Sequence, residues 1–174
     1  MKMRFVLSVM LLCMATTVAF GQQVSVNYNK SQDFSQFHTY AWGSNNANQI
    51  RNSILAQGAQ QNINSALQSK GLRMVQESEK PDLIVIASGG LKQTTSYQAW
   101  GMRGIGFGGG MATITPQQNV EGTLIVDLYD AKGQSLVWRG IAQKTLSNNG
   151  NKNTQMVEKA VDKMFKKYPW PPKN

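Results

Sequence analysis

The chain holds 174 residues, with 18 lysines and arginines against 9 acids, a net charge of +9, one cysteine and one histidine. That inventory excludes a disulfide framework and any metal site built from several histidines or cysteines, so no metal and no cofactor is expected. The basic excess favours anionic surfaces, although the lysines are spread along the chain, as a solvated surface would have them.

Residues 1–21 read as a secretory signal. Lys2 and Arg4 give a positive start, Phe5 to Met14 is apolar but for Ser8, and Ala19 and Gly21 are small residues where a signal peptidase reads. Ser8, Thr16 and Thr17 interrupt a stretch already shorter than the roughly 20 residues of a membrane span, which favours cleavage over a retained anchor. Cys13 follows the large Leu12, where a lipoprotein signal needs a small residue, and this argues against a lipid anchor. Cleavage after Gly21 would leave a mature chain from Gln22 without cysteine. It would lower the 18 basic residues to 16 against 9 acids and the charge to +7. The expected location is the periplasm or cell envelope. The expected partner is an envelope protein or anionic envelope surface, not nucleic acid.

The mature length predicts one domain over 22–168. Val24, Val26 and Tyr28 alternate with polar residues as in a half-buried strand, and Phe37–Trp42 reads as a second strand. From Ala47 to Lys70 the period becomes helical, through Ile50, Ile54, Leu55, Ala59, Ile63, Ala66 and Leu67. Gly71 is the expected stop. Gly58 inside this helix costs about 1 kcal/mol against alanine, which suggests close packing on a neighbour. Leu72–Val75 is a short strand candidate. Leu83–Ala87 is an apolar run expected to be a central strand covered on both faces, and Leu91–Tyr97 can continue the sheet.

Gln98–Asn119 differs in composition. Six glycines between 101 and 110 alternate with Trp100, Met102, Ile105, Phe107 and Met111, which predicts a long mobile loop or a ragged hairpin tip. Glu121–Leu146 is a β-hairpin, with Leu124, Val126 and Leu128 alternating up to the turn Asp130–Gly133, where Gly133 can take positive φ. Asn148–Asn151 reads as a loop. Asn153 or Thr154 is the predicted cap of a last helix with an apolar stripe from Met156 to Phe165. Pro169, Pro171 and Pro172 end it, leaving a tail over 169–174. The fold class is therefore α+β: a mainly antiparallel sheet with two amphipathic helices packed on one face, in the order β-β-α-β-β-β-β-β-α.

Three stretches occur together: Phe34-Ser-Gln-Phe-His-Thr-Tyr-Ala-Trp42, Pro81-Asp-Leu-Ile-Val85, and Glu121-Gly-Thr-Leu-Ile-Val-Asp-Leu128 followed by Leu136-Val-Trp-Arg-Gly140. In order and spacing they resemble the bacterial envelope family catalogued as domain of unknown function 4136. The resemblance implies an exported α+β domain, often on a lipid anchor. It brings no established activity and no catalytic residues. The poor lipobox at Cys13 departs from many members.

Little in the chain builds a catalytic site. Gly104-Ile-Gly-Phe-Gly-Gly109 matches a dinucleotide fingerprint only in letters, because no helix follows it. His38 sits among strand residues, and Asp82 after Pro81 reads as a turn or cap. Glu121 and Asp127 share a strand face but lie about 20 Å apart. Arg139, on the paired strand, should meet a carboxylate. The chain is therefore read as a non-catalytic accessory or interaction domain. Its contact is expected at Trp100, Met102, Arg103, Phe107 and Met111, where aromatic and apolar anchors sit on an adaptable segment. That segment could equally fold back over the sheet. Two alternatives stand beside this reading. One is a small-molecule or lipid carrier, which needs a deep apolar pocket between helices and sheet. The other is a hydrolase assembled around His38.

Overall fold

A computed structural model describes residues 22–43, 50, 52–101 and 112–169, with backbone alone at 98–101 and 112–114. The signal segment, the glycine-rich tip and the end of the tail lie outside the described residues. Six strands form one sheet: β1 (Gln23–Tyr28), β2 (Thr39–Trp42), β3 (Arg73–Met74), β4 (Leu83–Gly101), β5 (Ala112–Asp130) and β6 (Ser135–Thr145). Two helices accompany them, α1 (Ser53–Ser69) between β2 and β3, and α2 (Gly150–Phe165) after β6.

The strand order across the sheet is β1-β6-β5-β4-β2-β3. β1–β6, β6–β5 and β5–β4 pair antiparallel, while β2 pairs parallel with both β4 and β3. The α+β class holds, with these parallel pairs making the sheet mixed. The parallel pairs arise because α1 is the crossover between β2 and β3, and a parallel return needs such a connection.

Register decides which residues enter the core. Val85, Leu128 and Trp138 are mutually opposite, as are Ala87, Val126 and Gly140, and then Gly89, Leu124 and Ala142. These positions share one face, and the helices cover it. Ala59, Ile63 and Leu67 of α1 and Ala160, Val161, Met164 and Phe165 of α2 join them in a single core. Each large side chain fully buried there contributes about 1.5–3 kcal/mol.

The helix ends are chemically defined. The Asn52 side chain accepts from Leu55 N–H and starts α1. Its exit is a Schellman turn: Gly71 at φ 84° donates to Gln68 and Leu72 donates to Leu67. α2 starts earlier than the sequence suggests. Asn149 is the cap, accepting from Asn151 and Lys152 N–H. Asn153, expected as a cap, instead braces the preceding loop, exchanging two 2.8 Å bonds with the Ser147 backbone.

Four further expectations are changed or narrowed. The candidates Leu83–Ala87 and Leu91–Tyr97 are one strand running through Gly89-Gly90, because β5 pairs along its whole length. For the same reason, Gln98–Gly101 and Ala112–Asn119 are paired strands, so of the two alternatives for this segment the hairpin applies to these residues. The apolar run in β4 is fully buried only at Leu83 and Val85, while Ile84 and Ile86 point to the opposite face and are half-buried. In the β5–β6 turn the left-handed residue is Gln134, at φ 48°, and not Gly133.

Candidate functional site

The two helices run side by side with both N-terminal ends at the same end of the sheet. At the other end the space between helices and sheet is filled. The Trp138 ring lies 5.0 Å from that of Phe165, tilted by 30°, and 6.0 Å from Tyr168, which meets Phe34 edge-on at 5.4 Å. Toward the helix N-termini the inward residues shrink. Along β4 they run Leu83, Val85, Ala87, Gly89, and β5 ends its inward series at Leu124 and Gly122.

The result is a groove of about 1120 Å³. Its floor is Gly89, Gly122, Leu124 and Ala142, and its walls include Leu55 and Ala56 of α1 and Met156, Val157 and Ala160 of α2. Ile50 and Leu146 close in from the two sides. A Cβ on Gly89 would stand 2.8 Å from Ile50 Cγ1, and one on Gly122 would stand 2.9 Å from Leu146 Cδ2. Both glycines are therefore required by close approach from above. Gln22 hooks the start of the described chain onto α2, its Nε2 donating to the Met156 carbonyl at 2.9 Å. The rim is amides and hydroxyls, and among the described residues Lys144 is the one charged residue lining the groove. Pockets for drug-sized ligands span about 300–1,000 Å³, so the groove is large enough for a small molecule or an alkyl chain.

His38 is placed far from catalytic geometry. It is exposed, its ring Nδ1 lies 2.9 Å from the Gln36 carbonyl oxygen, and its backbone N–H donates to Asp82. Asp82 Oδ2 accepts from His38 N–H, Thr39 N–H and Thr39 Oγ1, each at 3.0 Å, and Asp82 N–H donates back to Thr39 Oγ1. Burial alone would raise the Asp82 pKa. Those hydrogen bonds, helped by Lys132, outweigh it and hold the carboxyl below its ordinary value. Asp82 therefore clamps β2 to β4. The carboxylate expected for Arg139 is Asp127, directly opposite it in register and bonded bidentately at 2.6 and 2.7 Å. Among the described residues, no group of three or more histidine, cysteine or acidic side chains is placed to hold a metal.

Of the residues expected to make contacts, Trp100 lies in β4 with its backbone opposite Thr113. Met102, Arg103, Phe107 and Met111 lie outside the described residues. Past Lys92 and Glu121, among the described residues, no third strand accompanies β4 and β5, so their far ends form a two-stranded arm. Tyr97 on this arm is 72% exposed.

A family model described as Domain of unknown function (DUF4136) matches residues 24–170. The chain belongs to this family. The likeness drawn from Phe34–Trp42, Pro81–Val85 and the β5–β6 hairpin is thereby confirmed, and the DUF4136 match runs from Val24 in β1 through the rest of the sheet and both helices. None of the curated proteins matches the chain. Among solved structures it resembles a PDZ domain protein from Parabacteroides distasonis, with 16% identity and a TM-score of 0.57. That match covers 87% of this chain and only 37% of the other, so the chain spans little more than a third of that protein. It also resembles PelC of the dodecamer from Paraburkholderia phytofirmans, with 12% identity over 82% of this chain and 94% of that one, at a TM-score of 0.49. The first of these likenesses concerns the fold alone.

Proposed function

We propose that this member of DUF4136 is an exported, non-catalytic binding domain of the bacterial envelope, and that it carries an apolar small molecule or lipid in the groove between its helices and sheet. The observation that carries this reading is the groove itself. Ile50 and Leu146 seat over Gly89 and Gly122, and beside them a space of about 1120 Å³ stays open between the apolar walls of the two helices and the sheet. Apolar surface left facing water is unfavourable by about 25 cal/mol per Å², and an apolar occupant would remove that cost. His38 and Asp82 have partners suited to holding strands together, so a hydrolytic reading gains nothing from them. Export is supported by residues 1–21, and fractionation with N-terminal sequencing tests it. A chain still starting at Met1 in the cytoplasm would refute it.

The binding test is to fill the groove. Ala56 is half-buried on the α1 wall. Ala56→Trp should leave the thermal midpoint nearly unchanged and abolish the fluorescence gain of N-phenylnaphthylamine seen with the delipidated wild type. Equal probe binding by both proteins would reject the groove.

A second reading rests on the exposed two-stranded arm, which suits an envelope protein or anionic surface contacted through Trp100, Met102, Arg103, Phe107 and Met111. Replacing Trp100 and Phe107 by serine should leave stability nearly unchanged and remove partner or vesicle binding. Unfolding of that variant would show that these side chains belong to the core.

A further inference from the structure

We infer that the ligand of the groove is a single-chain amphiphile with an anionic head, seated against Lys144. This rests on the groove being a binding site and adds the chemistry of what enters it. The walls and floor are hydrocarbon along one track: Ile50, Leu55, Leu124, Leu146, Met156 and Val157. Such a track accepts an alkyl chain and offers no charged group to a polar ligand along its length.

The polar end of the ligand is set by charge. Lys144 lies opposite Gly122 in the β5–β6 ladder, on the same face as Leu124 and Ala142, and is half-buried. Among the described residues no acid lines the groove, and neither helix carries an acidic residue in its first turn. Among the described residues the ion pairs are Arg139–Asp127 and Lys166–Asp162, so Lys144 is in neither. A lysine whose stem is half-buried beside apolar walls can offer its ammonium to an anion at the mouth of the groove. A neutral head would leave it as it is, and a cationic head would be repelled.

The experiment is calorimetric titration of the delipidated protein, purified from the envelope fraction, with myristate, tetradecanol and tetradecyltrimethylammonium below their aggregation limits. The wild type should bind myristate about ten-fold more tightly than tetradecanol, as one charge-assisted hydrogen bond supplies, and the cation most weakly. Lys144→Gln should erase the preference for myristate while leaving tetradecanol unchanged. Independently of any variant, myristate affinity of the wild type should fall with added salt and tetradecanol affinity should not. Equal binding of myristate and tetradecanol, a preference that survives Lys144→Gln, or no salt dependence would overturn the anionic assignment and leave the groove standing, provided Ala56→Trp abolishes binding of both. Binding of both that persists in Ala56→Trp, or no binding by the wild type, would remove the groove as the site and the inference with it.

Discussion

The two ends of the helix–sheet layer have the same backbone plan and opposite contents. At the end formed by the helix C-termini, Trp138, Phe165, Tyr168 and Phe34 make ring contacts between 5.0 and 6.1 Å and fill the space. At the end formed by the N-termini, the same strands present Gly89, Gly122 and Ala142, and a groove remains. Glycine serves close packing at both ends, as Gly89 and Gly122 do beneath Ile50 and Leu146. A Cβ on Gly140 would lie 2.7 Å from the Trp138 ring and 2.9 Å from Met164 Sδ, so that glycine lets the indole lie flat on the sheet. The difference shows that side-chain volume at inward positions decides whether a two-layer domain is solid or hollow. On the proposed function, one end supplies stability and the other binds.

That division can be broken by experiment. The largest effect should come from the filled end: Trp138→Ala is expected to cost about 3–5 kcal/mol in denaturant unfolding, because Trp138 has no exposed surface. A cost below about 1 kcal/mol would mean that the aromatic cluster is not the centre of stability. Asp82→Asn, at the clamp between β2 and β4, should cost about 1–3 kcal/mol. Its pH signature has a definite sign. The folded carboxyl is held below its ordinary value, so its contribution is present above about pH 4 and lost as pH falls through the folded pKa. The wild type should therefore lose more stability than Asp82→Asn on acidification below about pH 4. Parallel pH profiles would show that the clamp is electrostatically idle.

The smallest effect belongs to α1 near the hollow end. Close packing would explain Gly58, yet a Cβ there meets only Thr154 Cγ2 at 3.8 Å, an ordinary contact. Gly58→Ala should stabilise the protein by about 0.5–1 kcal/mol, through helix propensity alone. A loss of stability would mean that the helices approach more closely than this. With Ala56→Trp, it tests whether the open end tolerates added volume.

Much of this architecture is legible in short stretches of sequence. The alternation of Leu124, Val126 and Leu128, the stripe from Met156 to Phe165, the stop at Gly71 and the pairing of Arg139 with a carboxylate all follow from local periodicity and cross-strand chemistry. These are short-range properties, so the residues carry them wherever the segment lies. The cap of α2 is less legible, because Asn149 and Asn153 are equally able to cap and only the path of the Ser147 loop assigns them different tasks. The continuity of β4 through Gly89-Gly90 is also hidden. Glycine interrupts an isolated strand pattern, whereas full-length pairing with β5 carries β4 through it.

The groove shows where the sequence stops. The decline from Leu83 through Val85 and Ala87 to Gly89 is written in β4, but it has no meaning until register sets Gly89 beside Leu124 and Ala142, and two separate helices roof that patch. Lys144 is likewise one lysine among many in the chain, and its placement over Gly122 comes from β5–β6 pairing. The sequence by itself determined the class of the domain, its elements and its family, because hydrophobic period and turn chemistry act over a few residues. Only the tertiary structure decided that one end is solid and the other hollow, because a cavity is defined by residues far apart in the chain that fail to fill the space between them.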